Sequence, residues 1–258
     1  MPRTTVQMHM LQPMAQYPVE STFGKRIELL KSHKIAAAIY AVDKFLGSGM
    51  SVFISDGSSS FYVGLELFCQ ARENIEVRTN NLAIAHEYSL WPQPAAAGTG
   101  AHVSLAGGAI NKDLVMVCGA TANEYVRKAS EEVQYMVLSV RRLFGDEGPT
   151  GVEFESLQIK QFAATSTTAS IIVLADYEKL SHPFEVKLPR VYRSSQEWAA
   201  AMKRSMYVIS TCRPDVEYGP ETLRRPPENP STPKEYYLAN RWRLDANLGK
   251  HFIELMVP

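Results

Sequence analysis

Three consecutive hydroxyls, Ser58, Ser59 and Ser60, follow Asp56-Gly57 directly after the apolar run Met50 to Ile54. Phe61-Tyr62-Val63-Gly64-Leu65 comes next, so the order is that of a strand, a small-residue loop and a helix. Such a loop aims backbone N–H groups at one point beside the positive end of a helix dipole, where phosphate or carboxylate is the natural guest. The hydroxyls add donors that carry no charge of their own. An ordinary strand-to-helix turn with a serine N-cap gives the same pattern, and the loop alone does not separate the two.

Similar groups follow other strand-like stretches. Thr79-Asn80-Asn81 ends Ile75 to Thr79, Gly107-Gly108 ends His102 to Leu105 with Lys112 shortly after, and Asp176 with Lys179 follows Ile171 to Ala175. In open parallel sheets ligands bind beyond the carboxyl ends of the strands. Paired glycines let a ligand approach the backbone, and the lysines can supply charge to an anion. Taken singly, the asparagines could cap a helix and the lysines could be solvated; their shared position at strand ends points to an anion site. Glu153 and Glu155 are the candidate catalytic carboxylates, able to contact sugar hydroxyls or act as a base, although acidic residues also favour a helix N-terminus. Arg141 and Arg142 could bind an anion or form a solvated turn.

The elements that must position these groups alternate in type. A helical stripe runs from Gly24 to Leu46, ended by Gly47 and Gly49. Strands are expected at Met50 to Ile54, Ile75 to Thr79, His102 to Leu105, Val133 to Val140 and Ile171 to Ala175, with helices from the Ser58 loop to Ala71, from Leu82, from Gly119 to Lys128, and from Phe154 to Phe162. Short-loop alternation of this kind predicts an α/β, doubly wound, mostly parallel sheet with helices on both faces. We expect residues 1–23 to form an N-terminal arm, 24–190 the α/β domain, and 191–258 a C-terminal extension. Within the extension, Ser194 to Met206 and Lys234 to Leu248 read as helices, and Tyr207 to Thr211 and His251 to Val257 as strands. Between them, six prolines from Arg213 to Pro233 suit an extended arm that packs on the domain or a neighbouring subunit.

Composition narrows the classes. Lysine plus arginine equals aspartate plus glutamate at 27 each, which argues against a chain-wide nucleic-acid surface. Cys69, Cys118 and Cys212 are dispersed, as are the six histidines, so no metal-ligand spacing occurs and no metal or other cofactor is expected. There is no Walker loop, no G-x-S-x-G elbow and no G-x-G-x-x-G. No apolar run reaches membrane-spanning length and no signal-peptide core is present, so a cytoplasmic protein with reduced thiols is expected.

In order and spacing, six pieces resemble the C-terminal sensor domain of DeoR-type regulators: Lys34-Ile35-Ala36, Asp56-Gly57-Ser58-Ser59, Thr79-Asn80-Asn81-Leu82, Leu105-Ala106-Gly107-Gly108, Gly119-Ala120, and Leu174-Ala175-Asp176 with Lys179. The resemblance covers roughly residues 33 to 180 and implies a Rossmann-like fold of the ribose-5-phosphate isomerase and CoA-transferase group. It implies an effector-binding domain for a phosphorylated sugar or related metabolite, with phosphate on Ser58 to Ser60, and Asn80, Gly108 and Lys179 lining the pocket. Such domains serve transcription regulation through oligomers, so a homo-oligomer is expected. The 33 residues before Lys34 are too few for the family's winged helix-turn-helix, so direct DNA binding is not expected. Gln134 replaces the acidic residue usual near the start of its strand, and no Asp-Gly-x-Asp pattern follows, which weakens an isomerase relative to a binding module. A structural protein with a vestigial pocket is the third possibility.

Overall fold

The computed structural model describes residues 13–92, 100–141, 143–144, 148–149, 156–160, 168–181, 206–216, 229–236, 238–239 and 252–257. Two helices, α1 (Thr22–Glu28) and α2 (Lys31–Phe45), precede β1 (Ser51–Ile54). The chain continues through α3 (Ser58–Cys69), β2 (Ile75–Thr79), α4 (Leu82–Leu90) and β3 (Ala101–Leu105). A small antiparallel hairpin, β4 (Ala109–Asn111) and β5 (Met116–Cys118), leads into α5 (Ala120–Glu132) and β6 (Tyr135–Ser139). Short strands β7 (Leu143–Phe144) and β8 (Gly148–Pro149) come next, then a helical turn at 156–160, β9 (Ser170–Ala175) and a 3-10 turn at Tyr177–Leu180. β10 (Met206–Thr211) and β11 (Phe252–Val257) complete the main sheet.

That sheet has seven strands in the order β11-β10-β9-β6-β1-β2-β3, and every neighbouring pair is parallel. The chain winds outward from β1 in one direction and from β6 in the other. The strand order therefore reverses between β1 and β6, leaving a crevice at their carboxyl ends. The expected doubly wound α/β fold is present, and the sheet runs on beyond residue 190 through β10 and β11.

Period-two alternation sends successive side chains to opposite faces. Val52, Ile54, Val77, Val137, Ile172, Leu174 and Ile209 pack beneath α1 to α4. Phe53, Met136, Leu138, Ile171, Val173 and Val208 face the other way, against Ala122, Val126 and Ala129 of α5 and Leu157 and Ile159 of the 156–160 turn. Helix α3 is buried from Ser58 to Phe68, which is why its sequence after the three serines is apolar apart from Glu66. A Cβ at Gly64 would lie 3.0 Å from Ile84, so glycine there allows α3 and α4 to approach closely.

The single helix expected from Gly24 to Leu46 is instead two. Leu29 leaves the helical region and Leu30 adopts a left-handed conformation, φ 51°. The break turns α1 across α3, where Tyr62 Oη donates to Ile27 O at 3.1 Å and Phe23 meets Phe61 edge-on. Lys34 Nζ donates to Arg26 O and Leu29 O, supplying partners for carbonyls that the break releases. Upstream, the backbone amides of Met14 and Ala15 donate to the buried Glu87 carboxylate, docking residues 14–15 against α4. Among the described residues no helix is long and apolar enough to cross a membrane.

Candidate functional site

A cavity of about 160 Å³ opens at the reversal point. It is lined by Ser58 at the start of α3, Ser139, Val140 and Arg141 after β6, Asp176, Glu178 and Lys179 after β9, and Arg26, Leu29 and Lys34 from the α1–α2 corner. Helix α3 points its N-terminus here. Its N-cap is Gly57, at φ 114° and with no side-chain cap. The amides of Ser58, Ser59 and Ser60 lie in the first turn, where an α-helix has no acceptor for them. Glycine is required at 57 twice over: a Cβ would lie 2.7 Å from Ser139 Oγ, and the positive φ is one that other residues rarely adopt. The Arg26 guanidinium lies 3.6 Å from the same Cβ position, which places it over the mouth of the turn.

Beneath the loop is a buried polar network. Lys160 Nζ lies 3.1 and 3.0 Å from the two Asp56 carboxylate oxygens, and Ser156 Oγ donates to Oδ2 at 2.6 Å. The Asp56 amide donates to Asn80 Oδ1 at 2.9 Å, and Asn80 Nδ2 reaches Val117 O at 3.4 Å. Asn81 Nδ2 donates to Gly57 O at 3.3 Å while its Oδ1 caps α4 through the Ala83 amide at 3.1 Å. Thr79 Oγ1 donates to Ile54 O and accepts from the Asn81 amide. Ser55 Oγ accepts from the Ser139 amide at 3.2 Å, which ties the ends of β1 and β6 together.

Four cations and two carboxylates line the cavity, so its field favours an anion. Lys179 Nζ donates to Ser59 Oγ at 3.0 Å and to Leu174 O at 3.2 Å, and pairs with Asp176 at 3.2 Å. Burial pushes the Asp176 carboxyl up, but Lys179 and Lys34 together outweigh it and hold it below the usual carboxylate range. Lys34 is only 4% exposed. Burial first, then repulsion from Lys179, brings its ammonium down to about 7, against the opposing pull of Asp176. Burial likewise lowers Lys160, against the attraction of Asp56.

The sequence model of the family described as DeoR C terminal sensor domain matches residues 31–193. The chain belongs to that family. No curated protein sequence matches it. Among solved structures, ribose 5-phosphate isomerase from Plasmodium falciparum superposes with a TM-score of 0.38 at 13% identity, over 58% of this chain and 53% of that one. Ribose 5 phosphate isomerase A from Neisseria gonorrhoeae gives 0.38 at 13%, over 57% and 52%. The eIF2B delta protein from Chaetomium thermophilum gives 0.37 at 13%, over 60% and 49%. The chain thus spans about half the length of each of these proteins.

In this DeoR-type sensor domain, Ser58, Asp176 and Lys179 meet in one cavity, as the strand-end logic anticipates, and Gly57, Ser59 and Ser60 complete the turn behind them. The other expected residues are placed differently. Asp56 does not face the cavity, because both its oxygens are taken by Lys160 and Ser156. Thr79, Asn80 and Asn81 are fully buried and hold the β1 and β2 loops in register. Gly108, at φ 142°, serves the β4–β5 hairpin, since a Cβ would lie 2.4 Å from Cys118 O. Gly107 and Lys112 are exposed and lie outside the cavity lining. Glu153, Glu155 and Arg142 lie outside the described residues. Arg26 and Ser139 were not anticipated in the site, and neither was Lys160 beneath it. Arg26 carries no local signal, since it sits on a helix whose break the hydrophobic stripe conceals.

Proposed function

We propose that this sensor domain binds a phosphomonoester, a phosphorylated sugar or related metabolite, in a regulatory role. The phosphate sits on the first turn of α3 and interacts with Lys179, Lys34 and Arg26. Arg141, Asp176 and Glu178 face the remainder of the ligand. The reading rests chiefly on a cation-lined cavity opening on a helix N-terminus without a side-chain cap, at the strand-order reversal. An isomerase of the same fold would need a basic carboxylate over the sugar carbons. The isomerase alternative takes Glu153 or Glu155 as that base, and both lie outside the described residues; of the cavity carboxylates, Asp176 is a poor base in its ion pair with Lys179. The α1–α2 corner supplies Arg26, Leu29 and Lys34 to the cavity lining, so these helices serve the metabolite site. Occupancy is then read out through self-association or a partner.

Thermal unfolding with a panel of sugar phosphates tests this. A ligand at a hundredfold excess over its Kd adds about 2.7 kcal/mol, on the order of 5–10 °C in Tm for a chain of this size. Ser58→Glu places a carboxylate in the cradle and should abolish the shift. If no phosphomonoester raises the Tm, the proposal is wrong.

A further inference from the structure

We infer that Lys160 is a positioning residue for the anion site: by cancelling the Asp56 carboxylate it lets the Gly57–Ser60 turn accept a negatively charged ligand. This rests on the phosphate-binding role proposed above. Asp56 directly precedes Gly57, the N-cap of α3, so the anion cradle carries a negative charge in its own loop. Left alone, that charge would repel an incoming oxyanion and would compete with it for the positive end of the helix.

The charge does not reach the ligand, because it is occupied from below. Lys160 approaches both carboxylate oxygens, at 3.1 and 3.0 Å, and the two side chains are 4% and 3% exposed. Ser156 and Asn80 take the remaining acceptor capacity, at 2.6 and 3.5 Å. Lys160 is not among the residues lining the cavity, so it acts through Asp56. A buried ion pair of this kind is weak grounds for stability, since well-packed apolar residues do as well. Its charges are better accounted for by the site above them. The carboxylate anchors the loop through Ser156 and Asn80, and the ammonium removes the electrostatic penalty of having it there.

Isothermal titration with sulfate, in the full chain, tests the inference through three variants. Lys160→Met should weaken sulfate binding tenfold or more, because the carboxylate is then uncompensated. Asp56→Asn/Lys160→Met removes both charges and should restore affinity to within about threefold of wild type. That rescue would not follow if Lys160 merely supported the fold. Asp56→Asn alone should bind as tightly as wild type or more tightly. If Lys160→Met does not fold, the other two variants decide. Should either bind sulfate more than threefold weaker than wild type, or a folded Lys160→Met lose less than tenfold, the inference is overturned, since the pair would then act on the site by something other than charge cancellation. A wild-type chain that binds no oxyanion overturns the proposed function and this inference with it. Wild-type binding that the charge-neutral double variant loses overturns the inference alone.

Discussion

Raising the pH from 7 to 9 at constant ionic strength should weaken sulfate binding by up to about fiftyfold, through Lys34. Its ammonium is brought down to about 7 by burial and by Lys179 and Arg26, with Asp176 and Glu28 opposing. If only the charged form receives the anion, about half of the chains are competent at pH 7 and about 1% at pH 9, hence the factor. Sulfate keeps its charge throughout. A phosphomonoester, whose second ionisation lies near pH 6, adds an acid limb and gives a bell-shaped profile. Isothermal titration in two buffers of different ionisation enthalpy measures the proton taken up: about half a proton per sulfate at pH 7, approaching one at pH 9. The linkage has a counterpart in stability. The unfolded chain holds the Lys34 proton up to about pH 10.4, whereas the folded chain releases it near 7. The unfolded state therefore binds more protons between those values. Ligand-free stability rises with pH across that window, and the full penalty applies below it. Lys34→Arg keeps its charge and should flatten the affinity profile. Equal sulfate affinity at pH 7 and 9, or an unchanged slope in Lys34→Arg, would refute the assignment.

Other perturbations separate the parts of the site. Gly57→Ala should cost about 1–3 kcal/mol of stability and abolish oxyanion binding, because the new Cβ collides with Ser139; urea melts and titration would show both losses together. Asn81→Ala removes the cap of α4 and the tie to Gly57 O, and should lower stability by about 1–2 kcal/mol in the same melts. Arg141 is exposed, so Arg141→Ala should weaken sulfate binding only about two- to fivefold at low salt, with the difference shrinking as salt is added and no change in Tm.

The sheet was legible because buried parallel strands are short apolar runs, as Tyr135–Ser139 and Ser170–Ala175 are, and because Ile75–Thr79 alternates apolar and polar residues with period two. The ends of β1 and β9 pointed to Ser58, Asp176 and Lys179, which line one cavity, without reference to side-chain direction. Direction is where the sequence was silent. Asp56 reads as a ligand group until Lys160, 104 residues away, turns it inward. Asn80 and Asn81 read as ligand amides, but they satisfy the backbone of the neighbouring loop. The break at Leu30 was hidden because α1 and α2 both bury apolar residues on the same sheet face, so the stripe runs across it. Arg26 entered the cavity only through that break.

The reversal of strand order also divides the cavity in time. Ser58 comes from the stretch before the crossover, whereas Ser139, Arg141, Asp176 and Lys179 come from after it. The two meet only when β1 pairs with β6, and the contact that closes them, Ser139 to Ser55, spans 84 residues. Closing so long a loop is entropically slow. A folding intermediate with β1, β2 and β3 in place would hold half a cradle and little affinity for an anion. Ligand should therefore slow unfolding while leaving the folding rate nearly unchanged, as expected for contacts absent from the transition state. For a sensor, occupancy would then set how long each molecule survives as well as what it reports.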